Sequence, residues 1–198
     1  FLDCGTSGGL EGARNGACFM VGGDKEAYKV VEPILRDLSV PKGFLYAGPA
    51  GSGHFTKLIH NGIEFGMLQA IGEGVALLEA YDDKLDLAAL FELWSHCSVI
   101  RSWLIELLAR GLRENKLQDL SSYVEDTREV KWVVEYALDK EIWTPVIAEA
   151  ELALYRSRDS ENVSARAIAL MRHGFGGHPL HMIGEKKPAK PVATVAAR

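Results

Sequence analysis

The sequence predicts a mainly α-helical protein that opens with the remnant of an α/β sheet domain. Two observations support this fold class. In the first 50 residues, short apolar runs bounded by glycine alternate with a helical pattern, whereas the later segments carry apolar residues at helical spacing. The chain has 198 residues, of which 47% are hydrophobic and 25% charged, so it can form one domain or two small ones around a real core.

The first segment has the pattern of the last piece of an α/β domain whose beginning is missing. Asp24 is suited to cap a helix over Lys25–Leu38, and Pro33 is expected to kink that helix. Residues 5–12 are too rich in glycine for regular structure, and the Pro-Lys-Gly run at residues 41–43 predicts a turn. The glycine-bounded apolar runs predict three strands, at residues 1–5, 17–21 and 44–46.

After residue 50 the pattern is helical throughout, and no strand is predicted. A long helix is expected to begin at Ser52 or Gly53 and to end near Tyr81, and Asp86 is suited to cap the next one. Apolar periodicity predicts further helices at residues 87–97, 99–115, 128–138, 145–157 and 163–173. The predicted domains are the end of an α/β domain, an all-helical domain and a tail, at residues 1–50, 51–180 and 181–198. The tail, rich in Lys and Pro, is not expected to form a packed element by itself.

Charge, hydropathy and cysteine usage exclude several classes. Lys plus Arg number 22 and Asp plus Glu 27, so the net charge of −5 argues against non-specific nucleic-acid binding. The sequence contains no run of about 18 apolar residues, so no membrane span is predicted. Cys4, Cys18 and Cys97 are odd in number and widely spaced, which favours reduced thiols in or near a core over a disulfide framework or a zinc site. We therefore expect a cytoplasmic protein without a metal site.

Four polar side chains are expected on one face of the long helix. Lys57, His60, Asn61 and Glu64 lie at i, i+3, i+4 and i+7. A lysine held neutral can take a proton from a hydroxyl, a buried glutamate can donate one, and His and Asn can bind substrate oxygens. The same face could equally be an ordinary solvated stripe. The apolar neighbours that are expected to hold the helix in a core are Ile59, Ile63, Met67 and Ala70.

Three glycine-rich clusters have weaker signals. Residues 48–54 precede the long helix, but they lack the Gly-Lys-Ser/Thr of a phosphate loop and the G-x-G-x-x-G of a dinucleotide site, so we interpret these glycines as sites of close packing. Residues 6–9 offer a hydroxyl and bare amides that could hold a carboxylate, or form a plain turn. Near the C-terminus, Arg172 could bind an oxyanion or compensate a helix dipole, and His178 follows two glycines.

Together these segments resemble a known family. The run Asp-Cys-Gly-Thr-Ser-Gly-Gly at residues 3–9 resembles the substrate-binding segment of the β-hydroxyacid dehydrogenases. Residues 51–64, from Gly-Ser-Gly-His to Ile-Glu, resemble the catalytic segment of the narrower 6-phosphogluconate dehydrogenase family, and Phe-Gly-Gly-His at residues 175–178 resembles its C-terminal motif. Arg-Ser-Trp at residues 101–103 and Glu-Asp-Thr at residues 125–127 are similar to its shorter bacterial form. The similarity covers nearly residues 1–180, in order.

The resemblance implies a Rossmann domain, of which only the end is matched, followed by the all-helical domain. It implies oxidation of a 3-hydroxy sugar acid with NAD or NADP, followed by loss of CO2. Lys57 would be the general base and would then assist decarboxylation, and Glu64 would protonate C1 of the enediol. The residues that would hold the substrate are Ser7, Gly8, Gly9, His60 and Asn61. No cofactor-binding residue is assigned, because the choice between NAD and NADP belongs to the unmatched half.

The resemblance also implies a homodimer in which Arg172 and His178 complete the partner's site, with the tail lying on the partner. Three departures surround the family's phosphate position. Phe65 stands where the family has Tyr, Leu154 where it has Arg, and Arg128 with Val130 where it has two glycines. Whether the substrate is phosphorylated therefore stays open.

Two other functions remain possible on the sequence. One is a β-hydroxyacid dehydrogenase without decarboxylation, against which Glu64 and the motif at residues 175–178 argue. The other is a non-catalytic helical dimerisation module, since the sequence lacks the dinucleotide fingerprint. A polypeptide that truly began at Phe1 is expected neither to bind the nicotinamide cofactor nor to turn over substrate.

Overall fold

A computed structural model describes residues 1–184, apart from the side chain of Phe175. The first part contains β1 (Leu2–Ser7), α1 (Gly9–Asn15), β2 (Ala17–Gly23), α2 (Lys25–Leu38) and β3 (Ser39–Gly48). The second part contains α3 (Ser52–Glu79), α4 (Leu87–Ser95), α5 (Trp103–Glu114), α6 (Glu129–Asp139), α7 (Pro145–Arg158) and α8 (Val163–Gly176), with a 3-10 turn at Leu117–Asp119. The described residues form two compact units, residues 1–158 and residues 159–184. The basic run of the predicted tail lies outside the described residues.

The three strands form one sheet in the order β1-β2-β3. β1 runs antiparallel to β2, pairing Asp3 with Gly22 and Ser7 with Cys18. β2 runs parallel to β3, and α2 is the crossover that a parallel pair requires. The turn predicted at residues 41–43 falls within β3, at an irregularity where Lys42 takes a positive φ of 64°. Ser39 pairs with Ala17 before it and Phe44 with Phe19 after it, so the strand continues on both sides. The predicted mixture of a small sheet and a helical body is confirmed.

The loop predicted at residues 5–12 is partly wrong, because α1 begins at Gly9. Gly8, at φ 125°, turns the chain out of β1, a conformation that glycine adopts without strain. A Cβ on Gly12 would lie 3.4 Å from the Cα of Ala17, so the small residue lets α1 pack on the start of β2. The predicted α2 has the expected bounds: the Asp24 carboxylate accepts from the Ala27 amide at 2.8 Å.

Side-chain caps also set the helix starts in the body. The Asp86 carboxylate accepts from the Ala89 amide at 3.0 Å, and Ser102 accepts from the Ile105 amide at 3.3 Å. The helix predicted from residue 99 therefore begins only at Trp103. The core between α4 and α5 is built around Leu87, Phe91, Ile105 and Ala109. No helix within residues 1–184 is long and apolar enough to cross a membrane.

The expectation that Ile59, Ile63, Met67 and Ala70 hold α3 in a core is largely wrong. Ile63 is 55% exposed and Met67 40% exposed, and Ala70 is exposed too. Instead, α3 packs on α6 and α7 through Gly62: a Cβ there would lie 3.1 Å from Val133 and 3.3 Å from Ile147. The interhelical contact thus uses a small residue that lets side chains of the neighbouring helices reach the α3 backbone.

The three cysteines are free thiols, as expected, but their predicted place in or near a core is wrong. Cys4, Cys18 and Cys97 are all exposed. Cys4 lies on the sheet face opposite the buried Asp3 and Gly5, because successive side chains of a strand alternate.

Candidate active site where β1 meets α3

One face of β1 contacts successive turns of α3. Asp3, Gly5 and Ser7 alternate along the strand and therefore point the same way. The Asp3 carboxylate accepts from the amides of Gly51 at 2.6 Å and His54 at 2.8 Å, at the start of the helix. Gly5 lies against Lys57, one turn further on. The strand thus fixes where the helix begins and which of its residues face the strand.

Ser7, the last residue of β1, reaches the next turn of the helix. Its hydroxyl oxygen lies 3.1 Å from Nε2 of His60. The other ring nitrogen of His60 lies 3.1 Å from Nζ of Lys57. Lys57 also donates to the side-chain oxygen of Asn61. An ammonium can only donate. When Lys57 is charged, Nδ1 of His60 therefore accepts and Nε2 donates to Ser7.

Glu64 completes the cluster on the following turn. Its carboxylate oxygen lies 3.5 Å from Nδ1 of His60, and the two side chains are 36% and 38% exposed. His60 is therefore the centre of the polar face, with Ser7 on one nitrogen and both Lys57 and Glu64 near the other. The structure brings all four helix residues named by sequence together, and it adds Ser7 from the strand.

A cavity of about 550 Å³ adjoins this cluster. Its polar wall contains Ser7, His60 and Glu64, whereas Lys57 connects to it through His60. Thr56 and Ser102 also line it, and the remaining lining residues from α3 and α5 are apolar, namely Ile59, Ile63, Met67, Trp103, Leu104 and Leu107. The end formed by Ser7, His60 and Glu64 offers donors and acceptors of the kind that a hydroxy acid requires.

Of the two glycines after Ser7, Gly9 leaves its backbone accessible, whereas a Cβ on Gly8 would lie 3.0 Å from the Cα of Gly12. Gly8 and Gly9 have φ values of 125° and 55°, both in the region that favours glycine. Nothing lies within 4 Å of the position that a Cβ on Gly9 would take. A ligand can therefore approach the chain here, beside Ser7.

The predicted C-terminal residues lie in the second compact unit. Arg172 of α8 and His178, which follows the helix, line one cavity of about 380 Å³. Gly177, at φ 62°, ends the helix, and the His178 carbonyl lies 2.8 Å from Nδ1 of His173. The structure thus brings Arg172 and His178 together. Within residues 1–184, no group of three His, Cys, Asp or Glu side chains could hold a metal ion.

Sequence reasoning missed Asp3, which was quoted only as part of a motif. The hydrogen bond from the His54 amide lowers the pKa of Asp3, burial acts in the opposite direction, and the bond from the Gly51 amide adds to the lowering. The signal that could have revealed it is the spacing of Asp3 and Ser7 on one strand face. The partner amides, however, lie about 50 residues away in sequence.

Two family models match the chain. One describes the C-terminal domain of 6-phosphogluconate dehydrogenase and matches residues 53–162. The other describes the NAD binding domain of 6-phosphogluconate dehydrogenase and matches residues 1–48. The chain belongs to the 6-phosphogluconate dehydrogenase family. The resemblance inferred from the motifs is thereby confirmed, as is the family's type of helical domain after the end of an α/β domain.

Relatives and a solved structure agree with this assignment. The chain is 51% identical over 179 residues to YqeC of Bacillus subtilis (strain 168), whose name assigns it only provisionally to the 6-phosphogluconate dehydrogenases. It is 39% identical over 181 residues to the NAD(+)-dependent, decarboxylating 6-phosphogluconate dehydrogenase of Haloferax volcanii. Each alignment covers 90% of this chain and 60% of the relative, so the chain spans three fifths of their length.

Among solved structures, the 6-phosphogluconate dehydrogenase of Plasmodium falciparum superimposes with a TM-score of 0.72 at 30% identity. The superposition covers 93% of this chain and 41% of that one. That enzyme has been solved in complex with its cofactor NADP+ and in complex with its substrate 6-phosphogluconate. Together with the NAD(+)-dependent relative, it supports the predicted cofactor class of the family, NAD or NADP.

Proposed function

We propose that the protein containing this chain oxidises and decarboxylates 6-phosphogluconate or a related sugar acid, with NAD or NADP as the oxidant. The observation that carries this proposal is the cluster of Ser7, Lys57, His60 and Glu64 beside one cavity. Lys57, His60 and Glu64 lie within two turns of α3 and Ser7 at the end of β1, so the cluster combines a base, an acid and neutral hydrogen-bonding groups. Membership of a dehydrogenase family supports the same chemistry.

Lys57 is the proposed general base. In its neutral form, Nζ takes the proton of the substrate's 3-hydroxyl as the C3 hydrogen leaves as hydride. Its contacts with His60 and Asn61 hold the amine in place, which a long flexible side chain needs for efficient proton transfer. The resulting ammonium then donates a hydrogen bond to the 3-keto oxygen, which helps the β-keto acid lose CO2.

Glu64 is the proposed acid of the last step. The proton of the Lys57 ammonium passes to the 3-oxygen as CO2 leaves, which gives an enediol. Glu64 in its acid form then delivers a proton to C1 while Lys57 takes back the hydroxyl proton, and the product is the ketopentose, phosphorylated or not. Glu64 lines the cavity, and Lys57 lies near the same ring nitrogen of His60 that Glu64 approaches. Two proton-transfer groups thus meet beside one nitrogen of a single imidazole. Ser7, Gly8, Gly9, His60 and Asn61 are proposed to hold the hydroxyl and carboxylate oxygens of the substrate.

The cofactor supplies the hydride acceptor when bound. The described part of the α/β domain, residues 1–48, holds three strands but no G-x-G-x-x-G turn, and that turn is what fits a dinucleotide pyrophosphate. These residues alone therefore do not fit the cofactor, and no cofactor contact is assigned to them. We propose that another part of the family's dinucleotide-binding domain provides the contacts, because residues 1–48 match the model of that domain and the chain spans three fifths of its relatives' length.

The enzyme is proposed to be a cytoplasmic homodimer. Arg172 and His178 line one cavity, where a guanidinium and an imidazole suit an anionic substrate, and we propose that they complete the partner's site. Large apolar side chains on α3 are exposed, which favours cover by another surface: Phe55, Ile63, Met67, Leu68 and Leu77. Three free thiols agree with a reducing compartment.

The deciding experiment follows two products of the full-length protein. Sugar acid is supplied with NAD or NADP, and reduced cofactor and CO2 are both measured. The proposal expects them in equal amounts. Reduced cofactor without CO2 would instead indicate a β-hydroxyacid dehydrogenase. If neither product formed from 6-phosphogluconate or from gluconate, the result would favour the non-catalytic helical dimerisation module.

A further inference from the structure

The long helix α3 is capped by a residue that lies outside it. The N-cap position is Gly51, at φ 93°, which has no side chain to bind the free amides of the first turn. Asp3 of β1 takes this role, accepting from Gly51 at 2.6 Å and from His54 at 2.8 Å. Helices α2, α4 and α5 instead use local caps three residues away, as Asp24 does for α2. The start of α3 is thus tied to the strand.

Asp3 is buried, and its surroundings leave no room for the helix to shift. It is 3% exposed. A Cβ on Gly53 would lie 2.6 Å from the Asp3 carbonyl oxygen and 2.8 Å from the Gly22 nitrogen. A Cβ on Gly22 would lie 2.6 Å from a carboxylate oxygen of Asp3. The first turn of α3 therefore rests directly on the backbones of β1 and β2, with the carboxylate between them.

This contact sets the register of the whole polar face. Strand and helix run in the same direction, so Asp3, Gly5 and Ser7 meet the turns containing His54, Lys57 and His60 in that order. Sliding the helix by one residue would move it about 1.5 Å along its axis and turn it by about 100°. Ser7 would then face a different side chain, and the bond to His60 would be lost.

We propose that Asp3 is a positioning residue, which holds α3 in the one register where Lys57 and His60 face the end of β1. It does not touch the substrate and acts through the helix. The inference extends the proposed function, since Lys57 is the base proposed there. The inference also states that the Ser7–His60 contact depends on Asp3, and this structural statement can be tested without measuring turnover.

The test compares Asp3→Asn with Asp24→Asn in the full-length protein. Both changes remove the charge of a carboxylate that caps a helix, but Asp24 caps α2, which packs on β2 and β3. An asparagine at position 3 can accept from only one of the two amides while its NH2 group faces the other. We expect Asp3→Asn to lower kcat by roughly 10- to 100-fold, the loss associated with misplacing a catalytic group by an ångström, and Asp24→Asn to stay within about twofold.

A double-mutant cycle separates positioning from a general loss of stability. If Asp3 acts through the Ser7–His60 contact, the effects of Asp3→Asn and Ser7→Ala on kcat overlap, so the double variant loses less than the product of the single losses. The ¹⁵N resonance of His60 Nε2 should also shift in Asp3→Asn as it does in Ser7→Ala, and stay unchanged in Asp24→Asn. Multiplicative losses with an unchanged resonance would overturn the proposal.

The His60 Nε2 resonance also tests the role of Asp3 separately from the proposed function. If the wild-type protein turns over no sugar acid, the proposed function fails, yet the His60 signal still decides the role of Asp3. Should Asp3→Asn not fold, amide exchange in the wild type gives the answer. The Gly51 and His54 amides should then exchange as slowly as the interior of α3, and exchange at the rate of free first-turn amides would overturn the positioning role.

Discussion

The hydroxyl of Ser7 lies 3.1 Å from Nε2 of His60, across 53 residues of sequence. This contact joins the last residue of a strand to the middle of the polar face of α3. Because Lys57 lies 3.1 Å from the other ring nitrogen, the hydroxyl, the imidazole and the amine form one chain of polar contacts. A change at Ser7 should therefore alter the position of the Lys57 amine, which is two contacts away.

Replacing Ser7 with alanine tests this chain. The Ser7→Ala variant of the full-length protein loses one neutral hydrogen bond to His60 and one candidate substrate contact, each worth about 0.5–1.5 kcal/mol. We expect kcat/KM for the sugar acid to fall by roughly tenfold. Ser95→Ala is the matched control, because the Ser95 hydroxyl donates to the Glu92 carbonyl and lies 3.1 Å from Nδ1 of His96, so this variant also loses a serine–histidine contact, but at the end of α4. Equal activities in the two variants would contradict the role of Ser7.

Replacing Lys57 with methionine tests the proposed base. Methionine keeps the apolar stem, so the packing of Lys57 against Gly5 should survive and the fold should stay intact. We expect turnover to fall by at least about 100-fold, the lower range for removing a general base. Lys29→Met is the control, since Lys29 pairs with Glu26 on the exposed surface of α2. Near-normal turnover of Lys57→Met would remove this residue from the mechanism.

Sequence patterns recovered the local features of this fold better than the long-range ones. The bounds of α2 followed from the cap at Asp24, and the shared face of His60 and Glu64 followed from helical spacing. The pairing of Ser7 with His60 could not follow from spacing, because the register between strand and helix is set by tertiary contacts. The role of Asp3 could not be predicted for the same reason, because its partners are backbone amides, which every residue except proline has.

Local composition also misled in two places. Glycines around Gly9 predicted an irregular loop, but the structure uses them to turn the chain and to pack a short helix closely. The apolar spacing of Ile63 and Met67 predicted a buried face, whereas both are largely exposed beside the cavity. Periodicity shows which residues share a face, but it does not say whether that face meets a core, a ligand or another chain.

The substrate's phosphate can be tested at Phe65, which directly follows Glu64 on α3 and is half-buried. The family resemblance implies a tyrosine there that contacts phosphate. A new hydroxyl bonding to a charged group contributes about 1.5–3 kcal/mol. In Phe65→Tyr, we therefore expect the kcat/KM ratio of 6-phosphogluconate to gluconate to rise by roughly tenfold or more. Phe55→Tyr on the same helix is the control, since Phe55 contacts the Tyr136 ring. An unchanged ratio would mean that the phosphate does not lie near position 65.

The contribution of Asp3 to stability should depend on pH in a defined direction. Its pKa in the folded protein is lowered, chiefly by the hydrogen bond from the His54 amide. The unfolded chain therefore binds the Asp3 proton more tightly, so the stabilisation is fully present above the unfolded pKa of about 3.9 and is lost as the pH falls through the folded pKa.

At pH 7 we expect Asp3→Asn to lower the free energy of unfolding by about 1–3 kcal/mol. Urea unfolding of both proteins at several values between pH 7 and about pH 3 measures the difference. It should shrink as the solution becomes acidic, because a protonated Asp3 no longer offers two charged acceptors to the helix. A difference that stayed constant over this range would show that the carboxylate charge does not contribute to holding α3 on the strand.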